Sequence, residues 1–508
     1  MRPILRSRLA LWTGIFVFPP LGLVLLWMRR SLSVWKRLAA TLGICAVGIL
    51  ELFLVYGMRI VWTGNMKPYA VSFDTRARRD SRVEQSRKRQ LAEPPPPEPP
   101  AVVSEPAAPL SPAKPPLPVI PAGYWTDFRG PGRDGVYAQA AIRTDWPATG
   151  LLRLWKQPIG GGYASFTVGQ GRAYTIEQRR DREAVTAYDV QTGRELWAFN
   201  YPALFDEMLG GAGPRATPVF HDGLIYSLGA LGDVYCLTAA NGRPKWSKNI
   251  LADNEAANTH WAMAGSPLIV DEKVIVTPGG PRGHSIVAYN RLTGEPIWRA
   301  LDDRAGYTSP ILATLAGRRQ IVWISGARAV GIAPEDGALL WEFPFPGQMD
   351  MNCSQPVVVD DSDVLLSSAQ GPGAALLQIS KSGDAYTAKA VWQNNRLKNK
   401  FNSSVLYQGY VYGFDETILA CLDPKTGEVK WKGGRYGYGQ LLLAGGYLVV
   451  TTEQGEVVLV RATPEGHQEL ARFQAIEGRT WNIPAIDNGL LLVRNASQMA
   501  CFRLGQWR

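Results

Sequence analysis

From about residue 150 onward the chain alternates short apolar runs with turn-forming residues, and one hairpin pattern returns along it. A small residue is followed two positions later by Asp, then by Thr-Gly, and a Trp stands four residues after the Gly. The pattern is clearest in Ala187–Trp197 and in Cys421–Trp431. Looser copies end at Trp246, Trp298 and Trp341. Short strands and turns on a period of about 45 residues predict a β-propeller.

Each position of this repeat has a physical reason. We expect the small residue on a strand pressed against a neighbouring sheet, the Asp bonded to turn amides, and the Gly at a positive φ that closes the hairpin. The Trp ring is large enough to fill the gap between adjacent blades. Cys236, Cys421 and Cys501 occupy the small position, so we expect them to be buried like small apolar side chains.

The repeat anchors count the blades. They are Trp155, Trp197, Trp246, Trp298, Trp341, Trp392 and Trp431, with Leu470 in the last copy. Trp155 has no preceding strands of its own, and the final strands end without a Trp. We therefore expect strand 151–157 to complete the sheet that begins near residue 481. The predicted fold is all-β: an eight-bladed β-propeller of four-stranded antiparallel blades, closed by its N- and C-terminal strands.

Two apolar runs near the N-terminus predict a membrane anchor over residues 1–67, with hydrophobic helices at 9–28 and 38–62. The first run contains Pro19-Pro20. Basic residues lie before, between and after the runs, so the positive-inside rule leaves the topology open. Either both runs span, or the first dips in without crossing and the propeller emerges outside.

Residues 68–123 predict a disordered linker, first basic and then proline-rich. The prolines of 93–121 favour an extended polyproline II conformation, which at ~3.1 Å per residue reaches on the order of 90 Å and would hold a folded head away from a membrane. For the basic run from Arg76 to Arg89, a solvated segment or one that contacts lipid headgroups is favoured over a nucleic-acid arm. The propeller is expected over residues 124–508.

The net charge of +10 does not indicate nucleic-acid binding, because residues 1–92 hold 16 Lys and Arg against 4 Asp and Glu. The remainder, which includes the predicted propeller, is slightly acidic. A nucleic-acid surface needs a basic face on the folded domain. The five cysteines form no CxxC and the four histidines are scattered, so no metal site is expected.

The A-x-D-x-x-T-G-x-x-x-W repeat resembles the PQQ (pyrroloquinoline quinone) repeat of bacterial propellers. The lead-in from Trp125 to Gly135, WTDFRGPGRDG, is similar to the W-x-x-FRGP-x-x-DG segment of those proteins. The family ranges from quinoprotein alcohol dehydrogenases to BamB, a subunit of the outer-membrane protein assembly machine. The resemblance implies the fold strongly and the activity weakly, because function resides in sites rather than folds.

Active quinoproteins hold PQQ over a calcium ion, often beside a pair of adjacent cysteines. This sequence has no Cys-Cys pair, no haem motif and no residue-by-residue match to those ligands. Cys353 is the one cysteine expected near the axis. We therefore expect no cofactor and no enzyme activity. The alternative is a PQQ- and calcium-dependent quinoprotein dehydrogenase, an alcohol dehydrogenase-like oxidoreductase with divergent ligands.

The first residues of eight inner strands should converge on one end of the axis, a place we call the funnel. Its candidate ligand-binding residues are Tyr163, Glu177, Arg215, His260, Trp261, Tyr307, Asn352, Asn402, Gln440, Arg479 and Trp481. The alternative is that these side chains satisfy strand-end backbone. The sequence hypothesis is a bacterial inner-membrane protein with a periplasmic propeller that acts as a scaffold for a protein or small-ligand partner.

Overall fold

The computed structural model describes residues 19–28, 32–64, 66–92 and 125–505, which form two compact units, Met1–Arg79 and Asp80–Arg508. In the first unit, helices α1 and α2 are followed by a hairpin of strands β1 and β2. Helix α3 begins in this unit and continues into the second. The bounds are α1 Pro19–Trp27, α2 Val34–Leu54, β1 Arg59–Trp62, β2 Pro68–Ser72 and α3 Arg76–Ala92.

Helices α1 and α2 pack against each other in the first unit. The indole nitrogen of Trp27 donates to Thr41 Oγ1 at 3.1 Å, and Leu25, Leu26 and Ile44 are buried. Most other apolar side chains of α2 are exposed, and within the described residues α2 is the one helix long and apolar enough to cross a membrane. The second helix was predicted to reach residue 62. It ends at Leu54 because Gly57 adopts a positive φ and a hairpin follows.

The propeller lies in the second unit, and eight sheets of its described residues are antiparallel meanders. Two strands precede blade 1 in the chain, β3 Val136–Tyr137 and β4 Arg153–Pro158. Blade 1 is β5 Thr167–Gly169, β6 Arg172–Arg179, β7 Arg182–Asp189 and β8 Glu195–Pro202. Blade 2 is β9 Val219–His221, β10 Leu224–Leu228, β11 Asp233–Thr238 and β12 Pro244–Asn249, followed by helix α4 Ile250–Asp253. Blade 3 is β13 Leu268–Val270, β14 Lys273–Val276, β15 Ile286–Asn290 and β16 Pro296–Ala300.

The remaining blades follow the same order. Blade 4 is β17 Ile311–Leu315, β18 Arg318–Ile324, β19 Arg328–Ile332 and β20 Leu339–Pro344. Blade 5 is β21 Val357–Val358, β22 Asp363–Ser368, β23 Gly373–Ser382 and β24 Ala385–Asn394. Blade 6 is β25 Val405–Tyr407, β26 Tyr410–Asp415, β27 Ile418–Leu422 and β28 Val429–Arg435. Blade 7 is β29 Gln440–Ala444, β30 Tyr447–Thr451, β31 Glu456–Arg461 and β32 Glu469–Gln474. Blade 8 is β33 Ala485–Asp487, β34 Leu490–Arg494 and β35 Gln498–Arg503, with β4 as its outer strand.

The ring closes as the repeat predicted. Strand β4 pairs antiparallel with β35, and Trp155 lies opposite Cys501. The eight-bladed fold and the shared last blade are therefore confirmed. Strand β3 adds a parallel fifth strand to the inner edge of blade 7, with Val136 opposite Leu443. Strand β3 could not be predicted from the sequence, because two residues carry no alternating pattern.

The blades contact one another through the predicted tryptophans. The Trp197 indole nitrogen donates to the carbonyl oxygen of Ala239 in blade 2 at 3.0 Å, and six of the seven repeat tryptophans bond to the next blade's third-to-fourth strand turn in this way. Trp341 instead donates to Gln320 Oε1 in its own blade. The repeat cysteines Cys236, Cys421 and Cys501 are fully buried on third strands, as expected.

Helix α3 corrects the expectation of a disordered basic segment for residues 76–92. Its part in the second unit contacts the propeller, and Val83 is buried. The proline-rich segment 93–121, with its expected polyproline II conformation, lies outside the described residues. Ala92 and Trp125, which flank that region, both belong to the propeller unit.

Candidate functional site

A belt of hydrogen bonds links neighbouring blades just before their inner strands. The backbone N–H of Ser165 donates to Thr217 Oγ1, that of Thr217 to Ser266 Oγ, and that of Ser266 to Ser309 Oγ, at 2.8–2.9 Å. On the other side of the axis, the N–H of Gln355 donates to Ser403 Oγ at 3.0 Å. We call this belt the axial ring. Its sequence signal is a hydroxyl residue directly before Pro at several inner strands, as in Thr217-Pro218, Ser266-Pro267 and Ser309-Pro310.

The other links complete the circle. The Gln440 side-chain amide donates to the carbonyl oxygens of Phe401 in the blade 6 lead and Trp481 in the blade 8 lead, at 2.8 and 2.9 Å. Ser165 Oγ donates to the Ile483 carbonyl oxygen, which joins blade 1 to blade 8. Between blades 4 and 5, the N–H of Tyr307 donates to the carbonyl oxygen of Asn352 at 2.8 Å.

One side of the axial ring is occupied by the lead-in loop, residues 125–137. Arg129 is buried and donates to Gln355 Oε1 at 3.3 Å and to the carbonyl oxygen of Ser404 at 2.7 Å. Arg133, also buried, donates to the carbonyl oxygens of Ser266 and Pro267 at 3.1 and 2.7 Å. These two guanidinium groups therefore bridge blades 3, 5 and 6 across the axis.

Backbone bonds hold the same loop to blades 1 and 2, since the Trp125 and Thr126 carbonyl oxygens accept from Val168 and Phe220. In each blade, the residue that contacts the loop is either the residue that contributes to the axial ring or one that follows it in the chain. The lead-in loop therefore lies on the side toward which the inner strands run. The FRGPGRDG motif serves as a plug in the axis.

Two carboxyl groups contact the plug, the half-buried Asp127 and the buried Asp487. Burial raises the pKa of Asp127 to about 6, against the opposing effect of Arg133 at 3.1 Å. Burial likewise raises the pKa of Asp487 to about 7, although Asn488 and the backbone N–H of Trp125 donate to its carboxylate. Burial also lowers the pKa of Arg129 to about 10. The plug therefore concentrates desolvated charge on one side of the ring.

Aromatic rings and cations alternate on the opposite side of the axial ring. The rings of Tyr163 and Trp481 stack at 5.4 Å, and Trp481 meets Phe401 at 4.8 Å. Phe401 in turn lies 5.8 Å from Tyr438. These four residues come from the segments just before the inner strands of blades 1, 8, 6 and 7. Each of them precedes the axial-ring residue of its blade in the chain. We call this set, with its cations, the aromatic belt.

Three cations lie on the faces of these rings. The Arg479 guanidinium is 4.1 Å from the centroid of Trp481 and donates to Tyr163 Oη at 2.6 Å. Arg215 lies 5.5 Å from Tyr163, and Lys400 lies 4.9 Å from Tyr438. Such contacts are attractive because ring faces carry negative charge.

Burial lowers the pKa of Lys400 and of Arg215. Two acids contact the belt: Glu453 Oε1 accepts from the Trp481 indole at 2.9 Å, and Glu207 lies 3.8 Å from the Arg215 guanidinium. Among the described residues the belt therefore presents more positive charge than negative.

Four of the sequence candidates, Tyr163, Arg215, Arg479 and Trp481, thus come together. The sequence analysis missed Lys400, Phe401 and Tyr438, and also Phe205, whose ring lies 4.6 Å from the Arg215 guanidinium. Phe401 and Lys400 stand immediately before the funnel candidate Asn402. Extending the funnel set by two residues toward the N-terminus would therefore have included them.

His260, Trp261 and Tyr307 form a second group, between the leads of blades 3 and 4. The backbone N–H of Trp261 donates to Tyr307 Oη at 3.2 Å. Beside them is a cleft of about 310 Å³ lined also by Thr259, Arg304 and Asp350. Arg304 and Asp350 form an ion pair at 2.7 Å, so the cleft presents a neutral charge balance.

The amide candidates have structural partners. The Asn352 side-chain amide donates to the carbonyl oxygens of Ser325 and Phe345 at 2.9 Å, and Asn402 donates to Gly439 at 3.0 Å. Both residues are buried, as is Gln440 of the axial ring. For these three, the alternative role of satisfying strand-end backbone describes the contacts observed.

Glu177 lies away from the belt. It is fully buried, pairs with Arg179 and accepts from Tyr188 Oη at 2.7 Å. Despite burial, Arg179 and Arg494 hold its pKa below the usual value. Glu177 therefore belongs to an ion network between blades 1 and 8.

The residues present do not fit a calcium-bound quinone. Calcium takes six to eight oxygen ligands, with carboxylates prominent among them. Across the described ranges no three His, Cys, Asp or Glu side chains gather where a metal could be held. Glu453 is bonded to Trp481 and Asp350 to Arg304, and burial raises the pKa of Cys353 to about 12, so its thiol stays protonated.

Comparisons with known proteins agree with this architecture. The family model described as outer membrane protein assembly factor BamB matches residues 180–433. The outer membrane protein assembly factor BamB of Burkholderia pseudomallei is 23% identical over 371 residues, which cover 61% of this chain and 88% of that protein.

Quinoprotein dehydrogenases are similar over shorter or more divergent stretches. The quinoprotein alcohol dehydrogenase PedH of Pseudomonas putida is 25% identical over 173 residues, 31% of this chain and 26% of that enzyme. The crystal structure of quinohemoprotein alcohol dehydrogenase from Comamonas testosteroni superposes with a TM-score of 0.56 at 13% identity, covering 76% of this chain and 81% of that one. Because the matching family model spans half of the 508 residues, the chain belongs to the PQQ-repeat β-propeller family described as outer membrane protein assembly factor BamB.

Proposed function

We propose that this chain is a membrane-anchored, extracytoplasmic scaffold whose aromatic belt binds a protein or a small ligand. The observation that carries the proposal is the asymmetry of the axis. The lead-in plug fills one side of the axial ring. On the other side the half-buried rings of Tyr163, Phe401 and Trp481, backed by the buried Tyr438, are interleaved with Arg215, Arg479 and Lys400. Half-buried rings and cations suit a partner that offers anionic and apolar groups together.

Helix α2 supports the anchoring. Its 21 residues are long enough to cross a hydrocarbon core of about 30 Å. Leu42 is 73% exposed and Leu54 is 74% exposed, which costs free energy in water and suits lipid. The periplasmic, inner-membrane location is proposed from the BamB relationship and from this helix.

A scaffold is preferred over a quinone-dependent dehydrogenase for a chemical reason. The dehydrogenase needs a calcium site, and the carboxylates near the axis are already bonded to Trp481 and Arg304. The similarity to quinoprotein dehydrogenases in sequence and in fold favours the alternative. We therefore propose no cofactor and no redox step.

The test uses a photo-crosslinking amino acid in the full-length chain in its native membrane. Placed at Phe401, in the belt, it should capture one defined partner, whereas placed at Leu292, an exposed residue of a blade 3 turn, it should not. Arg479→Gln should reduce capture from Phe401 severalfold, and Arg153→Gln, an exposed cation of blade 8, should leave it unchanged. Equal capture from Phe401 and Leu292 would refute the belt as the binding site.

A further inference from the structure

Helix α3 has two distinct faces where it lies in the propeller unit. Val83, Ser86, Arg87 and Gln90 follow the i, i+3, i+4, i+7 spacing of one helix face. Val83 is 4% exposed, and the other three are partly buried. This face is the docked face.

Polar contacts fix the docked face to blades 1 and 8. Ser86 Oγ donates to Gln157 Oε1 on β4 at 3.0 Å. Arg87 pairs with Glu195 on β8 at 2.6 Å, and Gln90 Oε1 accepts from the Glu195 backbone N–H at 3.0 Å. The helix therefore has a defined orientation on the propeller, and its other face has a defined composition.

The opposite face carries Arg82, Gln85 and Arg89 at i, i+3 and i+7, with Lys88 beside them, and all four are exposed. Asp80 is buried. Glu84, four residues before Lys88, is partly exposed but pairs with Arg180 of the propeller at 2.8 Å. The outward face thus carries three cations, the acid beside it is paired, and we call it the basic face.

We propose that the basic face binds an anionic lipid surface and so sets one orientation of the propeller on the membrane. Charge complementarity favours this occupant, since each Lys or Arg close to an anionic leaflet contributes about 1 kcal/mol. Chain continuity favours it too, because only residues 55–75 separate the apolar helix α2 from α3. The inference rests on the proposed anchoring by α2.

The test places an environment-sensitive fluorophore at Gln85→Cys, in the centre of the basic face, in a Cys45→Ser background that removes the exposed native thiol. The full-length chain is reconstituted in vesicles of phosphatidylcholine alone or with about one quarter phosphatidylglycerol. With phosphatidylglycerol, emission should shift to the blue and quenching by aqueous iodide should fall at least about twofold. The protection should disappear near 1 M salt, where the Debye length is about 3 Å.

A matched pair of triple variants separates the face from overall charge. Arg82→Gln/Lys88→Gln/Arg89→Gln should abolish the protection. Arg153→Gln/Lys389→Gln/Lys430→Gln removes the same charge from exposed blade positions and should retain it. Equal iodide quenching with and without phosphatidylglycerol would overturn the inference, as would protection by added duplex DNA alone.

Alkaline carbonate extraction of the same vesicles reports the anchor independently. A chain that resists extraction but shows no lipid-dependent protection at position 85 retains the proposed anchoring and loses the basic-face inference. A chain that carbonate extracts has lost the anchoring itself, whatever the fluorophore shows.

Discussion

The indole of Trp155, on the outer strand of blade 8, lies directly on Gly193 in blade 1. A Cβ atom at Gly193 would be 2.5 Å from the Trp155 ring, and Gly193 has a φ of +69°. Trp197 lies on Gly242 of the next blade in the same way. The Trp and the Gly of the repeat are therefore two halves of one contact between neighbouring blades.

Gly193→Ala should destabilise the propeller by about 3 kcal/mol, because a left-handed Ala costs about 1–2 kcal/mol and the rigid indole cannot yield. Gly171→Ala is the matched control. Its φ is +71°, but no atom lies within 4 Å of its Cβ position, so only the backbone cost applies. Thermal unfolding followed by near-ultraviolet circular dichroism compares the two, and equal losses would contradict the packing role.

Arg129→Lys should destabilise the propeller by about 2–4 kcal/mol. A single ammonium cannot reach both Gln355 Oε1 and the Ser404 carbonyl oxygen, so buried acceptors lose their donor. Arg143→Lys, in an exposed pair with Asp145, should change stability by less than about 0.5 kcal/mol. The urea midpoints of the two variants measure the difference. A tolerated Arg129→Lys would show that the plug does not hold the blades together.

The pH dependence of stability should contain a contribution from Asp487. Burial raises its folded-state pKa to about 7 from an ordinary value of 3.8, so the folded protein binds the proton more tightly than the unfolded chain does. This contribution favours folding at low pH and is lost as pH rises from about 4 to about 7.

Asp487→Asn stays neutral and should raise the unfolding temperature at pH 8 while changing it little near pH 4. Asp361→Asn, in an exposed turn, should shift neither value. A variant that destabilises equally at both pH values would show that the carboxylate contributes a bond that an amide cannot replace.

Purified full-length chain incubated with PQQ and calcium should show neither stoichiometric quinone binding nor dye-linked alcohol oxidation. The physical reason is that the acids near the axis are committed to Trp481 and Arg304. Absorbance of retained quinone after gel filtration measures binding. Tight retention together with turnover would reverse the order of the two functional hypotheses.

A reporter fused after Arg508 should show the extracytoplasmic side. Alkaline phosphatase at this position should be active and green fluorescent protein dark, because only the former folds productively in the periplasm. The opposite pattern would place the propeller in the cytoplasm and remove the proposed location, while leaving the fold and the aromatic belt as they are.

The architecture was predictable because its determinants are local and repeated. The hairpin pattern around Ala187 and Trp197 recurs often enough to count the blades. Trp155 has no preceding strands of its own and the final strands have no repeat Trp, so the two ends were expected to share a blade. Burial of Cys236, Cys421 and Cys501 followed from the same register. Periodic local signals of this kind can be recognised in a single sequence.

The plug and the axial ring were not predictable, because their contacts join residues far apart in the chain. Arg129 bonds to Ser404, and nothing near Arg129 in the sequence specifies that partner. Helix α3 was not predicted for another reason. Its docked face carries one buried apolar side chain, Val83, among polar ones, so hydrophobic periodicity gives no signal. Glu177 was misplaced because a strand-end position does not show whether its side chain meets the axis or a neighbouring blade.

Docking of α3 changes which part of the sequence connects the two compact units. Helix α3 begins in the first unit and continues into the second, and Ala92 and Trp125 both belong to the second. Under the proposed anchoring by α2, residues 55–75, rather than the proline-rich segment, therefore set the length of chain between the anchor and the propeller.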